Sequence, residues 1–270
     1  MKKATLFGAI AGDVIGSAYE FRPTKDYNFT LLDEWSDITD DSIMTIAVAD
    51  WILSAKDAGL TAHSLTSKMQ HWGRKYRYPM GGYGGMFGEW LGSECPQPYN
   101  SWGNGSAMRV SACGFAFDTL EQTLEAAKAS AEVTHNHPEG IKGAQATAAA
   151  IFLARTGHGK EEIRDYIGKT FGYDLNRTCD VIRADYSFEP SCQETVPQSL
   201  IAFLDSKGYE DAIRLAVSLG GDADTMGAIT GAVAIAYYKE MPDEIHSFAM
   251  SRLPNDLKDV VTLFEETYTE

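Results

Sequence analysis

The sequence predicts an all-α protein: one compact domain of many helices. Three observations carry that expectation. Apolar and small residues recur at helical spacing along most of the chain. Runs with the two-residue alternation of a strand are nearly absent. No Pro- or Ser-rich linker and no block of like charge divides the 270 residues, so a single domain over 1–270 follows.

The first helix is predicted over 4–20, where Gly8, Gly12 and Gly16 fall at i, i+4 intervals. Glycines on one face lower helix propensity but allow another backbone to come very close. Asp13 and Glu20, at i, i+7, lie on roughly the same side of that helix. Glu20, at its end, reads either as a solvent-facing acid or as a carboxylate reaching a metal centre. Residues 22–38 show no periodicity and read as a loop leading to Thr39. A helix over 42–58 follows, stopped by Gly59, and then another over 61–76 with Leu65, Met69 and Trp72 as its apolar stripe.

The stretch 78–106 changes character. Glycines are concentrated there and interleaved with Tyr78, Tyr83, Phe87, Trp90, Tyr99 and Trp102. Glycine lets backbone approach a ligand, and aromatic rings offer faces for a base or sugar. The stretch has neither the GxGxxG nor the GxxxxGK(S/T) pattern, which excludes a Rossmann turn and a P-loop. An irregular surface loop is the plainer reading; the density of aromatics favours a binding wall.

A helix is predicted over 104–117, with Arg109 a lone cation in an apolar run that reads as a buried ion-pair partner. The helix over 121–133 ends at Thr134-His135-Asn136-His137-Pro138, whose spacing suits no common zinc motif. A loop histidine that hydrogen-bonds a substrate fits better. Helices are then expected over 139–156, 160–171, 194–205, 208–219 and 225–240, the last with Gly227 and Gly231 at i, i+4, and one or two amphipathic helices over 243–268.

Net charge is -15, which argues against a nucleic-acid backbone or an anionic membrane as the main partner. The four cysteines show no CxxC spacing and read as reduced thiols of a cytoplasmic protein. The N-terminus faintly imitates a signal peptide, but Asp13 and the glycines interrupt its apolar core, and no apolar run reaches the ~18 residues of a membrane span.

The chemistry is concentrated in Ser218-Leu-Gly-Gly-Asp-Ala-Asp-Thr-Met-Gly-Ala. Asp222, Asp224 and Thr225 sit at the mouth of a small-residue helix, and Thr39-Asp40-Asp41 repeat that chemistry upstream. N-capping and complementing the helix dipole explain either copy alone. Two copies point instead to converging oxygen ligands for a hard divalent cation.

These residues together resemble the ADP-ribosylglycohydrolase family. GAIAGDVIGSAYEF, TDDS, GGYGG, SWGNGSAMRV, THNHPEGIKGAQA and GGDADTMGAITGA occur in order over nearly the whole chain. Ser42 and Ala223 stand where threonine is frequent in the family, and neither change removes a ligand. The resemblance implies a compact all-α fold whose cleft holds two divalent cations, Mg²⁺ or Mn²⁺. Their ligands would be Thr39, Asp40, Asp41, Asp222, Asp224 and Thr225. Glu20, Asp41 and Asp224 are the implied catalytic acids. Gly82, Tyr83, Gly84, Gly85, Ser101, Trp102, Gly103, Asn104 and His135 are implied to bind substrate, with Trp102 against the nucleoside. The implied reaction is hydrolysis at C1″ of ADP-ribose on a protein or small-molecule acceptor, carried out by a monomer. A catalytically silent ADP-ribose binder and a binuclear-metal pyrophosphohydrolase are the alternatives.

Overall fold

The computed structural model describes residues 6–55 and 59–268, and among them it contains helices and no strand. In chain order these are α1 (Phe7–Glu20), α2 (Asp40–Leu53), α3 (Ala62–Lys75), α4 (Gly85–Gly92) and α5 (Gly105–Met108). Then come α6 (Ser111–Ala116), α7 (Leu120–Glu132), α8 (Pro138–Arg155), α9 (Lys160–Phe171) and α10 (Cys179–Asp185). The last are α11 (Cys192–Asp205), α12 (Tyr209–Val217), α13 (Ala223–Tyr238), α14 (Asp243–Arg252) and α15 (Asn255–Tyr268). The expected start of the first helix at residue 4 and the expected end of the second at residue 58 lie outside the described residues. No helix among the described residues is long and apolar enough to cross a membrane.

At the centre are α1 and α13. From Ala223 to Ala236, α13 is buried on every side, as a helix apolar all round must be. Its small residues meet the glycines of α1. A Cβ on Gly12 would stand 1.9 Å from Gly227 O, and one on Gly16 would stand 2.2 Å from Ala223 O. Gly8 faces Ile235 and Gly231, so the two helices run antiparallel with backbone against backbone. The arrangement sets the end of α1, carrying Glu20, beside the beginning of α13, carrying Asp224.

The start of α2 joins the same corner. Asp13, wholly buried on α1, accepts from Thr39 N at 3.1 Å, Thr39 Oγ1 at 2.7 Å and Ser42 N at 3.0 Å, and also binds the Ser42 hydroxyl. One carboxylate thus satisfies two of the backbone donors that a helix start leaves open.

Several expected boundaries shift. The run 104–117 is two short helices, α5 and α6, broken at Arg109-Val110, where Arg109 turns its guanidinium inward. The glycine-rich stretch contains α4, with Phe87, Trp90 and Leu91 as its buried face. α10, unexpected from the sequence, buries Cys179 and Ile182. The C-terminal segment is two helices, α14 and α15, separated at Leu253-Pro254, because the residue before a proline avoids helical geometry.

Candidate active site

The three helix ends open on a cavity of about 550 Å³. One wall carries Glu20, Asp40, Asp41, Asp222, Asp224 and Thr225. A second is the glycine-rich segment Gly81 to Met86, and a third combines Ser101 to Gly105 with His135 and Glu189 to Ser191.

The acid wall is built by two helix starts that differ in how they are capped. Thr39 is a working N-cap of α2: its hydroxyl donates to Asp13 and accepts from Asp41 N at 3.1 Å. Asp222 occupies the N-cap position of α13, yet its side chain makes no capping bond. Asn104 Nδ2 donates to Asp222 Oδ2 at 2.8 Å and to Thr195 Oγ1 at 3.1 Å, which fixes the carboxylate from across the cavity. Thr225 Oγ1 donates to Asp41 Oδ2 at 3.4 Å, so residues 184 apart in sequence meet in this wall.

The turn that delivers Asp222 is also held. Gly220 takes φ +69°, a left-handed geometry that glycine adopts without strain. Lys25 Nζ donates to Leu219 O at 2.5 Å and also binds Tyr186 O, while Arg183 Nε donates to Ser218 O at 3.2 Å. Two cations thus cap the carbonyls at the end of α12, where the dipole favours them.

Electrostatically the wall is crowded. Burial, then neighbouring charge, holds the carboxyls of Asp40, Asp41 and Asp224 well above the ordinary carboxylate range. Burial also raises Asp222. Glu20 is pushed up to about 7, by burial first and then by Asp222 and Asp13. Glu20 Oε2, Asp41 Oδ1 and Asp224 Oδ1 are buried oxygens with no hydrogen-bond partner. Carboxylate oxygens of Glu20, Asp222 and Asp224 lie within 4.8 Å of one another. Unpartnered buried acceptors are expensive unless something positive meets them, and hard oxygen donors suit a divalent cation. The residues present therefore fit such a group.

Opposite, the glycine wall is shaped by backbone. Gly81 and Gly82 take φ +75° and +80°, and a Cβ on Gly81 would stand 2.6 Å from Glu20 Oε2. Tyr83 OH donates to Tyr76 O at 2.8 Å and pins the segment. In the third wall, Gly103 pairs with Ser191, Asn104 N donates to Pro190 O at 2.8 Å, and Cys192 N donates to Trp102 O at 2.9 Å. Trp102 is 53% exposed, its ring edge-on to His137 at 5.6 Å. His135 is buried, with its Nδ1 2.7 Å from Thr134 Oγ1.

Every residue assigned from the sequence lines this one cavity except Thr39, which lies behind the acid wall. The reading of Arg109 as an ion-pair partner is corrected: among the described residues its guanidinium meets Ser130 O and Thr134 Oγ1 and no carboxylate. The segment Glu189 to Ser191, Phe21 and Met86 are cavity residues that the sequence did not disclose. For 189–191 no local signal exists, because its place depends on long-range pairing with Gly103. Asp13, noted only for its spacing, is the buried anchor of α2.

The family model described as ADP-ribosylglycohydrolase matches residues 3–267. The chain belongs to that family. "ADP-ribosylhydrolase ARH3" of Homo sapiens is 24% identical over 98% of this chain and 90% of its own length. The bovine protein of that name, from Bos taurus, is 23% identical over 98% and 89%. "ADP-ribosylarginine hydrolase Tri1" of Pseudomonas putida is 27% identical over 90% of this chain and 72% of its own. A solved chain of an "ADP-ribosylglycohydrolase-related protein complex" superposes with a TM-score of 0.73 at 21% identity, covering 98% of this chain and 96% of that one. That likeness shows a shared fold. In this chain the motif residues are drawn from six separated stretches of sequence, and the fold gathers residues from each around one opening.

Proposed function

We propose that the protein is a divalent-cation-dependent hydrolase that releases ADP-ribose from an ADP-ribosylated acceptor by cleaving the bond at C1″. The observation that carries this reading is the set of unpartnered carboxylate oxygens at one end of a glycine- and aromatic-walled cavity. Family membership and relatives named ADP-ribosylhydrolase and ADP-ribosylarginine hydrolase support the substrate class.

Asp40, Asp41, Asp222, Asp224 and Thr225 would hold the cations; Thr39 Oγ1 joins them with the lone pair left after its bonds to Asp13 and Asp41. Magnesium or manganese, when bound, supplies positive charge for substrate oxygens and makes a nearby water more acidic. The chain's own groups do the rest. The glycine wall admits the diphosphate against backbone, Trp102 offers a ring face to the nucleoside, and His135 hydrogen-bonds the substrate. Glu20, on the cavity side of the acid cluster, takes the proton of the attacking water. The water oxygen bonds to C1″, the C1″–acceptor bond breaks, and its electron pair leaves with the acceptor, which is then protonated. The unpaired thiols suit a cytoplasmic setting.

The test combines metal binding and product analysis. Wild type should gain thermal stability from Mg²⁺ or Mn²⁺ and convert an ADP-ribosylated protein to ADP-ribose and free acceptor. Asp41→Asn, Asp222→Asn and Asp224→Asn should lose both responses. Equal metal-induced shifts in all four proteins would remove the metal assignment. AMP and a ribose phosphate as products would make the enzyme a pyrophosphohydrolase instead.

A further inference from the structure

Arg109 is a cation only 1% exposed, set at the back of the cavity where no carboxylate among the described residues pairs with it. Its guanidinium donates to Ser130 O at 2.8 Å and to Thr134 Oγ1 at 2.7 Å, and its Nε has no partner. Thr134 Oγ1 lies in turn 2.7 Å from His135 Nδ1. On the far side of the ring, His135 Nε2 is 3.0 Å from where a Cβ on Gly105 would stand and 3.6 Å from the corresponding point on Gly103. The imidazole therefore bridges a buried positive charge and the wall that a ligand would touch.

We infer that Arg109 is a positioning residue: acting through Thr134, it fixes the tautomer of His135 so that Nε2–H is the donor presented to the substrate. The inference rests on the reading of this cavity as an ADP-ribosyl site. A hydroxyl has one proton and two lone pairs, and a guanidinium can only donate. Thr134 therefore accepts from Arg109, which leaves its own proton available to the Nδ1 lone pair, with the Tyr99 oxygen as the competing acceptor. The imidazole dipole agrees with this, since the Nδ1 lone pair then points toward the cation and the N–H points away. Burial, then Arg109, also holds His135 well below its ordinary range, so the ring is neutral. Tyr99 is the other titratable group facing the ring, with centroids 5.9 Å apart, and its phenol stays protonated. A substrate oxygen at the Ser101–Gly105 wall would then meet a fixed neutral donor.

Nitrogen-15 NMR of the histidines reads the tautomer directly, without turnover. In wild type at neutral pH, His135 should show a protonated Nε2 and an unprotonated Nδ1. Thr134→Val removes the bridge while leaving Arg109 in place. It should populate the Nδ1–H form and weaken ADP-ribose binding about tenfold, the loss of one well-placed hydrogen bond, at an unchanged Mg²⁺-induced melting shift. Thr134→Ser should restore both. A wild-type ring protonated on Nδ1, or on both nitrogens, overturns the inference even if Thr134→Val fails to fold. So does a folded Thr134→Val that keeps a single Nε2–H tautomer. Wild type that binds no ADP-ribose overturns the reading of the cavity instead, and the spectrum still decides the role of Arg109.

Discussion

At the scale of single residues, the acids and the glycine beside them carry the sharpest consequences. Glu20 is lifted to about 7 and Asp13 to about 6, in each case by burial first. A carboxyl whose pKa is raised on folding binds its proton more tightly in the folded chain than in the unfolded one. Its stabilising effect is complete below the unfolded value of about 4 and is lost as pH rises through the folded value. The metal-free protein should therefore melt at progressively lower temperature between about pH 4 and pH 7, roughly 2–4 °C for each kcal/mol lost. Saturating Mg²⁺ should flatten that slope, and melts in chelator and in metal across the range would check it. Gly81→Ala sets a methyl group against the Glu20 carboxylate at a backbone angle that strains any L side chain. It should lower kcat at least tenfold while costing about 1–2 kcal/mol of stability, measured by turnover and by chemical denaturation. These acids were legible in the sequence as types and positions, because two Thr/Asp clusters at helix starts are visible locally. That Thr39 caps its helix while Asp222 makes no capping bond and is held by Asn104 instead was not, since Asn104 reaches Asp222 from 118 residues away.

Among the helices, the close antiparallel pair α1 and α13 decides where the acids stand. The i, i+4 glycines announced a tight packing face in the sequence, and the structure supplies the partner. Gly12→Ala would drive a methyl into the backbone carbonyl of Gly227, which no rotamer change can relieve. It should destabilise the protein by about 3 kcal/mol or more, as overpacking of a rigid contact does, and denaturant midpoints would register it. Gly16→Ala, whose methyl would stand 2.6 Å from Asp224 Cα, should weaken metal-induced stabilisation more than its effect on the metal-free fold predicts. A helix with a full stripe, such as α3 with Leu65, Met69 and Trp72, was legible because periodicity is a local property. α4 escaped notice because its glycines masked the Phe87, Trp90 and Leu91 spacing, and α10 because only Cys179 and Ile182 of its short run are buried.

Over the whole molecule, one layer of contacts joins the two ends of the sequence. α1 packs along α13, and Tyr209 OH, 201 residues downstream, donates to Gly8 O at 2.6 Å. Fold class and the acid clusters could be read from the sequence, while the cavity's third wall could not, because Gly103 and Ser191 meet only once the intervening helices have packed. The α1–α13 contact also bears on how the chain is made. On a ribosome, α1 emerges and exposes its glycine face long before its partner α13 has been synthesised. Until residues 223–238 clear the exit tunnel, that face stays unsheltered and neither acid cluster has its counterpart. Truncated nascent chains ending before residue 223 should thus depend on chaperones and give no metal response.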